Sequence, residues 1–236
     1  MAPETPCPPL APPRGKGNAC GFRLYLVTDR QQTAGRPLIE VVTAAVRGVP
    51  QGTERGTARQ ASLAVQLREK DLSARELYDL GARLQEVLHP CQVPLLINDR
   101  IDVALALDAA GVHLAGHSLP TRTARNLLGP DKLLGVSTHS LDAARQAADE
   151  GADFVVFGPV FATPSKLAYG PPQGLPELTA VVSHVAIPVL GIGGITPVNL
   201  PQVRQAGAHG VAMIRAVLAA PDPYAATQQL CRLLAE

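Results

Sequence analysis

Short runs of apolar residues alternate along the chain with longer segments in which apolar residues recur every three to four positions. The short runs are typical of buried β-strands, and the longer segments are typical of amphipathic helices. Residues 76–88 show the helical period most clearly, with Leu77, Leu80, Leu84 and Leu88 on one face. The candidate strands are 23–27, 63–67, 94–97, 111–114, 133–137, 153–157, 187–191 and 210–214.

Two further helices carry start signals. Ser140 is a suitable N-cap for a helix over residues 140–150. A second helix, over residues 197–206, is predicted to begin with Thr196 as its cap and Pro197 at its first position.

Apolar strands that alternate with helices predict a parallel sheet with right-handed crossovers. Eight such units in about 215 residues predict an α/β fold, a (β/α)₈ TIM barrel formed by residues 21–236 as a single domain. An open doubly wound sheet is the alternative. Against it, no strand is followed by G-x-G-x-x-G, and the nearest stretch, 191–196, lacks the third glycine.

Two segments fall outside this regular pattern. Residues 1–20 carry six prolines by position 13 and no apolar core, which predicts a disordered tail rather than a secretory signal. Residues 48–62 are polar and glycine-rich, which predicts a mobile insertion between the first helix and the second strand.

The composition excludes several classes of function. Lysine and arginine number 21 and aspartate and glutamate 20, so there is no basic excess for nucleic-acid binding. Residues 178–203 lack charge but are broken by Pro188 and by Gly193 and Gly194, so we expect no membrane span. Four cysteines without a C-x-x-C pair indicate reduced thiols and a cytoplasmic protein. Whether the chain forms a homo-oligomer stays open.

The loops that follow the strands carry polar groups suited to phosphate. In a (β/α)₈ barrel these loops build the active site. The cations are Arg68, Lys70 and Lys166, and the hydroxyl donors are Thr163 and Ser165. Backbone N–H groups are expected at a helix start at Gly193 and Gly194, and Asp99 is the one carboxylate suited to Mg²⁺. Together they predict a pocket for two phosphorylated small molecules.

Each of these groups also has a purely structural explanation. Residues 68–70 could be a solvated charged turn, and Asp99 could cap the helix that begins near Arg100. The glycines at 193–194 could form a tight turn. His139, after the fifth strand, could serve only as a structural hydrogen-bonding group.

Taken in order, the segments resemble the family of thiamine-phosphate synthase and its relative, the thiazole tautomerase, from about Phe22 to the C-terminus. The family has a (β/α)₈ barrel, in agreement with the strand count. The matching segments are LYLVTDR (24–30), VQLREKD (65–71), INDRIDVA (97–104), GVHL (111–114), GVSTHS (135–140), GADFVVFGPVFATPSK (151–166), GIGGITPVN (191–199) and AGAHGVAMI (206–214).

For a synthase, the resemblance implies that hydroxymethylpyrimidine diphosphate loses pyrophosphate and that the nitrogen of hydroxyethylthiazole phosphate captures the resulting cation. Mg²⁺ and basic side chains would neutralise the departing charge. The resemblance implies two groups of contacts at matching positions. The pyrimidine diphosphate would be bound by Gln66, Arg68, Lys70, Asn98, Asp99 and Ser137, with Asp99 as a ligand of the metal. The thiazole phosphate or the pyrophosphate would be bound by Thr163, Ser165, Lys166, Gly194 and the backbone near Ile214, with Gly193 beside them.

One departure from the family pattern bears on the activity. The synthases typically follow the fourth strand with Gly-Gln-x-Asp, whose Asp is the second magnesium ligand, whereas this chain has Gly116 and Ser118 at the Gln and Asp positions. A hydroxyl is a weaker Mg²⁺ ligand than a carboxylate. The change resembles the tautomerase branch, in which a histidine at the place of His139 is implicated. The retained Gln66, Lys70, Asn98 and Asp99 favour the synthase, while the tautomerase and a non-catalytic binder of thiamine precursors remain alternatives.

Overall fold

The computed structural model describes residues 20–50, 63–163 and 171–235. Most of the predicted tail (1–19), most of the predicted insertion (51–62), residues 164–170 and residue 236 lie outside the described residues.

The strands form a closed parallel barrel. Each strand pairs with the next in sequence, and the eighth returns to the first, so the open-sheet alternative is wrong. The strands are β1 (Leu24–Val27), β2 (Leu63–Leu67), β3 (Leu95–Asn98), β4 (Gly111–Leu114), β5 (Leu133–Thr138), β6 (Phe154–Phe157), β7 (Val189–Ile192) and β8 (Gly210–Met213).

Helices follow the strands in the order that the pattern predicts. They are α1 (Leu38–Arg47), α2 (Ala74–Leu88), α3 (Ile101–Ala106), α4 (Thr121–Leu128), α5 (Leu141–Asp149), α6 (Gly174–His184), α7 (Leu200–Gln205), α8 (Arg215–Leu218) and α9 (Pro223–Ala235). Two short 3₁₀ turns, Arg30–Gln32 and His89–Cys91, complete the described part of the chain.

The predicted cap of α5 is confirmed, but that of α7 is wrong. The hydroxyl of Ser140 accepts a hydrogen bond from the N–H of Ala143. The helix predicted over 197–206 begins only at Leu200, with Asn199 as its N-cap. The physical reason is a local turn: the N–H of Thr196 donates to Oδ1 of Asn199 at 2.7 Å, which holds residues 196–199 outside the helix.

The barrel interior is more aromatic than the composition suggests. The sequence contains few aromatic residues, yet Phe22, Tyr25 and Phe154 pack together inside the barrel, with ring centroids 5.3–5.5 Å apart. Gly135 makes room for them, because a Cβ at this position would come within 2.3 Å of the Phe154 ring. Cys20, the last residue of the predicted tail, is buried in the same cluster, so the prediction of a disordered tail is wrong at this residue.

The remaining apolar core lies between the barrel and its helices. Within the described residues, no helix is both long and apolar enough to cross a membrane. The carboxyl ends of the eight strands meet at one rim, which brings the loops that follow them together.

Candidate functional site

Most of the predicted site residues lie at the mouth of the barrel, the rim where the carboxyl ends of the strands meet. Gln66 lies within β2 and Asn98 ends β3, while Ser137 lies near the end of β5. The others that the structure describes occupy the loops after the strands: Arg68 and Lys70 after β2, Asp99 after β3, Ser118 after β4, His139 after β5, Thr163 after β6, Gly193 and Gly194 after β7, and Ile214 after β8. Ser165 and Lys166 lie outside the described residues.

A continuous chain of polar contacts links β2 to the loop after β4. Nε2 of Gln66 donates to Oδ1 of Asn98 at 3.1 Å, and Nδ2 of Asn98 donates to Oδ2 of Asp99 at 2.8 Å. The hydroxyl of Ser118 donates to Oδ1 of Asp99 and accepts from the N–H of Ala115 at 2.6 Å. Four of the predicted site residues therefore form one hydrogen-bonded group around a single carboxylate.

The backbone presents Asp99 in an unusual conformation. Its φ is 60°, in the left-handed region that few residues other than glycine adopt, and its N–H donates to the carbonyl of His113 at 3.0 Å. The N-cap of α3 is Arg100, and that cap has no side-chain hydrogen bond. The structural alternative, in which Asp99 caps α3, is therefore wrong. Such backbone strain tends to occur at functional sites.

The donor set around Asp99 fits Mg²⁺ only with help from a substrate. In the described ranges, no three His, Cys, Asp or Glu side chains converge as a metal-binding group. One carboxylate, the Ser118 hydroxyl and the amide of Asn98 are oxygen donors, and Nε2 of His117 lies 3.3 Å from Oδ2 of Asp99. Because Mg²⁺ commonly binds through one or two carboxylates plus substrate phosphates, this set suits a metal that arrives with a diphosphate.

His113 is a residue that the sequence analysis did not single out for the site. It lies fully inside the barrel, and its Nε2 is 2.9 Å from Oγ of Ser137. Burial lowers its pKa to about 3, with an opposing effect from Asp99 and a lesser lowering effect from Arg68. At neutral pH the imidazole is therefore uncharged. The alternation of side chains along β4 could have revealed it, because Val112 and Leu114 face the helices and His113 must face inward.

The charged turn after β2 is not simply solvated. Arg68 is half-buried and Lys70 is exposed, but Glu69 between them is buried, and its carboxylate accepts hydrogen bonds from Arg30. The alternative that residues 68–70 form a solvated charged turn is therefore wrong for Glu69. The N–H of Arg68 also donates to Oγ1 of Thr28 at 2.9 Å.

His139 contacts the loop after β6. Its Nδ1 forms a hydrogen bond with the carbonyl oxygen of Gly158, which precedes a cis proline, Pro159. The contact orients the ring and leaves Nε2 as the nitrogen not engaged by it. His139 therefore has a structural role, because it links the loop after β5 to the loop after β6.

The loops after β6 and β7 form a second part of the mouth. The N–H of Phe161 donates to the carbonyl of Gly193 at 3.0 Å, and Thr163 follows two residues later. Gly193 and Gly194 have φ of 97° and 64°, and a Cβ on Gly194 would lie 2.7 Å from the carbonyl oxygen of Ala162. The expectation that these glycines start a helix is wrong, because α7 begins only at Leu200 and the glycines form a bend directly after β7.

The chain is similar to known proteins over most of its length. The family model described as thiamine monophosphate synthase matches residues 24–217. A thiamine-phosphate synthase from Roseiflexus castenholzii is 45% identical over 97% of this chain and 92% of its own length. A putative thiamine-phosphate synthase from Geobacter sulfurreducens is 46% identical over 90% of this chain and 94% of its own.

Solved structures agree with the family match. The thiamine phosphate pyrophosphorylase from Pyrococcus furiosus superposes with a TM-score of 0.79 at 33% identity, over 92% of this chain and 96% of that one. A 3-hexulose-6-phosphate synthase superposes with a TM-score of 0.63 at 18% identity, which reflects the shared fold alone.

Proposed function

Because the chain belongs to the thiamine monophosphate synthase family, we propose that the two parts of its barrel mouth each hold one substrate of thiamine-phosphate synthesis. The activity is that of a thiamine-phosphate synthase, a transferase of thiamine biosynthesis. It joins hydroxymethylpyrimidine diphosphate to hydroxyethylthiazole phosphate and releases pyrophosphate. The relatives at 45% and 46% identity carry the synthase name, which favours the synthase over the tautomerase and over a binder without activity.

The pyrimidine diphosphate belongs to the half formed by β2 to β5. The observation that carries this assignment is the continuous contact chain from Gln66 through Asn98 to Asp99. Gln66 and Ser137 offer polar atoms to the pyrimidine, and Arg68 and Lys70 supply positive charge where the diphosphate would lie. Positive charge fixed in place before the reaction stabilises the departing pyrophosphate without reorganisation.

Asp99, with the weaker donor Ser118, is proposed to hold Mg²⁺. When bound together with the diphosphate, the ion would neutralise charge on the leaving group. The chain's own contribution is to orient the carboxylate: Asn98 and Ser118 each donate to one of its oxygens, and the left-handed backbone directs it. The single carboxylate implies weaker metal binding before the substrate enters.

The thiazole phosphate belongs to the half formed by the loops after β6, β7 and β8. Thr163 and the turn at Gly193 and Gly194 offer hydroxyl and backbone N–H donors, and the backbone at Ile214 lies after the neighbouring strand. Ser165 and Lys166, matched by the resemblance alone, would add a hydroxyl and a cation. In the pyrimidine half, neutral His113 forms a hydrogen bond with Ser137 and so orients that hydroxyl.

The test is a stoichiometric assay. The purified chain is mixed with both substrates and Mg²⁺, thiamine phosphate is measured as fluorescent thiochrome, and pyrophosphate is measured by a coupled enzyme. We expect one pyrophosphate for each thiamine phosphate, and no pyrophosphate release faster than product formation. Pyrophosphate release without thiamine phosphate would contradict the assignment of the second half to the thiazole.

A further inference from the structure

The buried carboxylate of Glu69 has no role in the site described so far. It lies between the two cations assigned to the diphosphate, yet only 3% of its side chain is exposed. Both of its oxygens accept from the backbone N–H of Arg30, each at 3.1 Å, and Oε2 also accepts from Nη1 of Arg30 at 3.2 Å. A buried carboxylate is costly unless it is paired and hydrogen-bonded, so this arrangement is maintained against a substantial desolvation cost.

The partner of Glu69 is itself held in place. The guanidinium of Arg30 forms two parallel hydrogen bonds with the carboxylate of Asp71, at 2.6 Å each. Arg30 thus joins two acidic residues that flank Lys70 in the sequence. Its charge is engaged by Glu69 and Asp71, so Arg30 serves to fix the loop after β2 to the loop after β1.

A second contact joins the same two loops one residue earlier. Oγ1 of Thr28 accepts from the N–H of Arg68 at 2.9 Å, and the N–H of Thr28 donates to the carbonyl of Gln66 at 2.9 Å. The backbone is therefore anchored at Gln66, at Arg68 and, through the Glu69 side chain, at the residue between the two cations. Arg68 itself is half-buried at this point of the barrel mouth.

We propose that Glu69, clamped by Arg30, is a positioning residue that holds Arg68 and Lys70 in register for the diphosphate and pyrophosphate. This inference deepens the proposed function and rests on it. Placing two flexible cations before the ligand arrives reduces the conformational entropy that binding must overcome. The benefit is confined to the diphosphate half, because the clamp joins only the loops after β1 and β2.

The experiment compares two ligands in one protein. Binding of pyrophosphate with Mg²⁺ and of the thiazole phosphate is measured by calorimetry for wild type, Glu69→Gln and Glu69→Asp. Gln places an amide group against the donors of Arg30, so we expect the dissociation constant of pyrophosphate to rise by at least about tenfold, the scale of one lost charge-assisted hydrogen bond. The thiazole phosphate constant should stay within about twofold, since its half lacks this contact. Glu69→Asp should restore part of the loss.

Two further variants keep the outcome interpretable. Arg30→Gln removes the guanidinium but keeps the backbone N–H, so it should show the same selective loss even if Glu69→Gln folds poorly. Glu86→Gln makes the same chemical change at an exposed position of α2 and should leave both constants unchanged. The turnover assay should show the selective pattern as well, with a raised KM for the pyrimidine diphosphate and an unchanged KM for the thiazole phosphate.

The outcomes separate this inference from the function beneath it. If wild type binds pyrophosphate and the Glu69 and Arg30 variants bind it equally well, the positioning role is wrong and the proposed function stands. If every variant that folds binds both ligands more weakly and also has a lower melting temperature, Glu69 has only a structural role and the inference is again wrong. If wild type binds no pyrophosphate with Mg²⁺, the proposed diphosphate site fails and the inference fails with it.

Discussion

The hydroxyl of Ser118 donates a hydrogen bond to the carboxylate of Asp99, at the position where family members typically carry a second aspartate. By the family resemblance, a neutral donor thus stands where a second magnesium ligand is expected, and the same contact that orients Asp99 also occupies one of its oxygens. The arrangement explains how a synthase can keep its carboxylate in place without a second negative charge beside it.

Ser118→Asp should lower the Mg²⁺ concentration needed for half-maximal activity by about tenfold, the scale of one added carboxylate ligand. Without Mg²⁺, two adjacent carboxylates repel, so the melting temperature in chelator should fall and should recover as Mg²⁺ is added. A Mg²⁺ titration of turnover and of melting temperature measures both effects. Ser183→Asp, exposed on α6, is the matched control. An unchanged Mg²⁺ requirement would place the loop after β4 away from the metal.

Lys166→Ala should weaken binding of the thiazole phosphate by about tenfold or more, because a cation on a phosphate contributes a charge-assisted hydrogen bond. Calorimetry with the thiazole phosphate alone measures the change. Lys132→Ala is the control, since that lysine pairs with Asp108 and Ala109 before β5, at the opposite end of the barrel. Equal dissociation constants for wild type and Lys166→Ala would remove Lys166 from the site.

Gly194→Ala should reduce thiazole phosphate affinity as well as stability. Its φ of 64° is strained for alanine, by about 1–2 kcal/mol, and the new Cβ would also press on Phe161 and Ala162 at 2.7 Å. Gly35→Ala is the matched control, because it has φ of 79° and open space around the added Cβ. Chemical unfolding of both variants measures the cost of the backbone strain. Binding of the thiazole phosphate to both variants measures the effect of displacing the loop at Gly194. Equal affinity in the two variants would count against a phosphate site at this turn.

Cys20 should make the fold less stable at high pH. Burial raises the pKa of its thiol from 9.0 to about 12, so above pH 9 the unfolded chain loses a proton that the folded chain keeps. The free energy of unfolding should therefore fall by about 1.4 kcal/mol per pH unit from this group between pH 9 and pH 12, and Cys20→Ala should remove that part of the slope. Urea unfolding from pH 8.5 to 10.5 measures it, with exposed Cys91→Ala as control. Identical slopes in all three proteins would contradict the assignment.

Much of the barrel was predictable because its periodicity is local. Apolar strands and helical stripes repeat in the chain itself, and β2 and β4 have the bounds that the sequence predicts. The start of α7 was not predictable from Thr196 and Pro197, since the turn depends on the Asn199 side chain bonding back to the N–H of Thr196. Propensity alone does not distinguish these two caps.

The site was predictable in its membership but not in its contacts. Strand ends and the resemblance point to Gln66, Asn98 and Asp99, and these three form one hydrogen-bonded group. The clamp between Glu69 and Arg30 joins residues 39 apart in sequence, and neither residue carries a local signal for burial. Such a partnership arises from the parallel pairing of β1 with β2, which brings the loops after the two strands side by side.

We assign the synthase chemistry to the mouth of the barrel around Asp99. The most direct measurement is thiamine phosphate formation by wild type, Asp99→Ala and Asp102→Ala, with both substrates and saturating Mg²⁺. Asp102 is the matched control, because it is exposed in the first turn of α3 and pairs with Arg100. We expect turnover in wild type and Asp102→Ala, with a loss of at least about a hundredfold in Asp99→Ala. Full activity in Asp99→Ala, or no product from wild type beside an active control enzyme, would contradict this assignment.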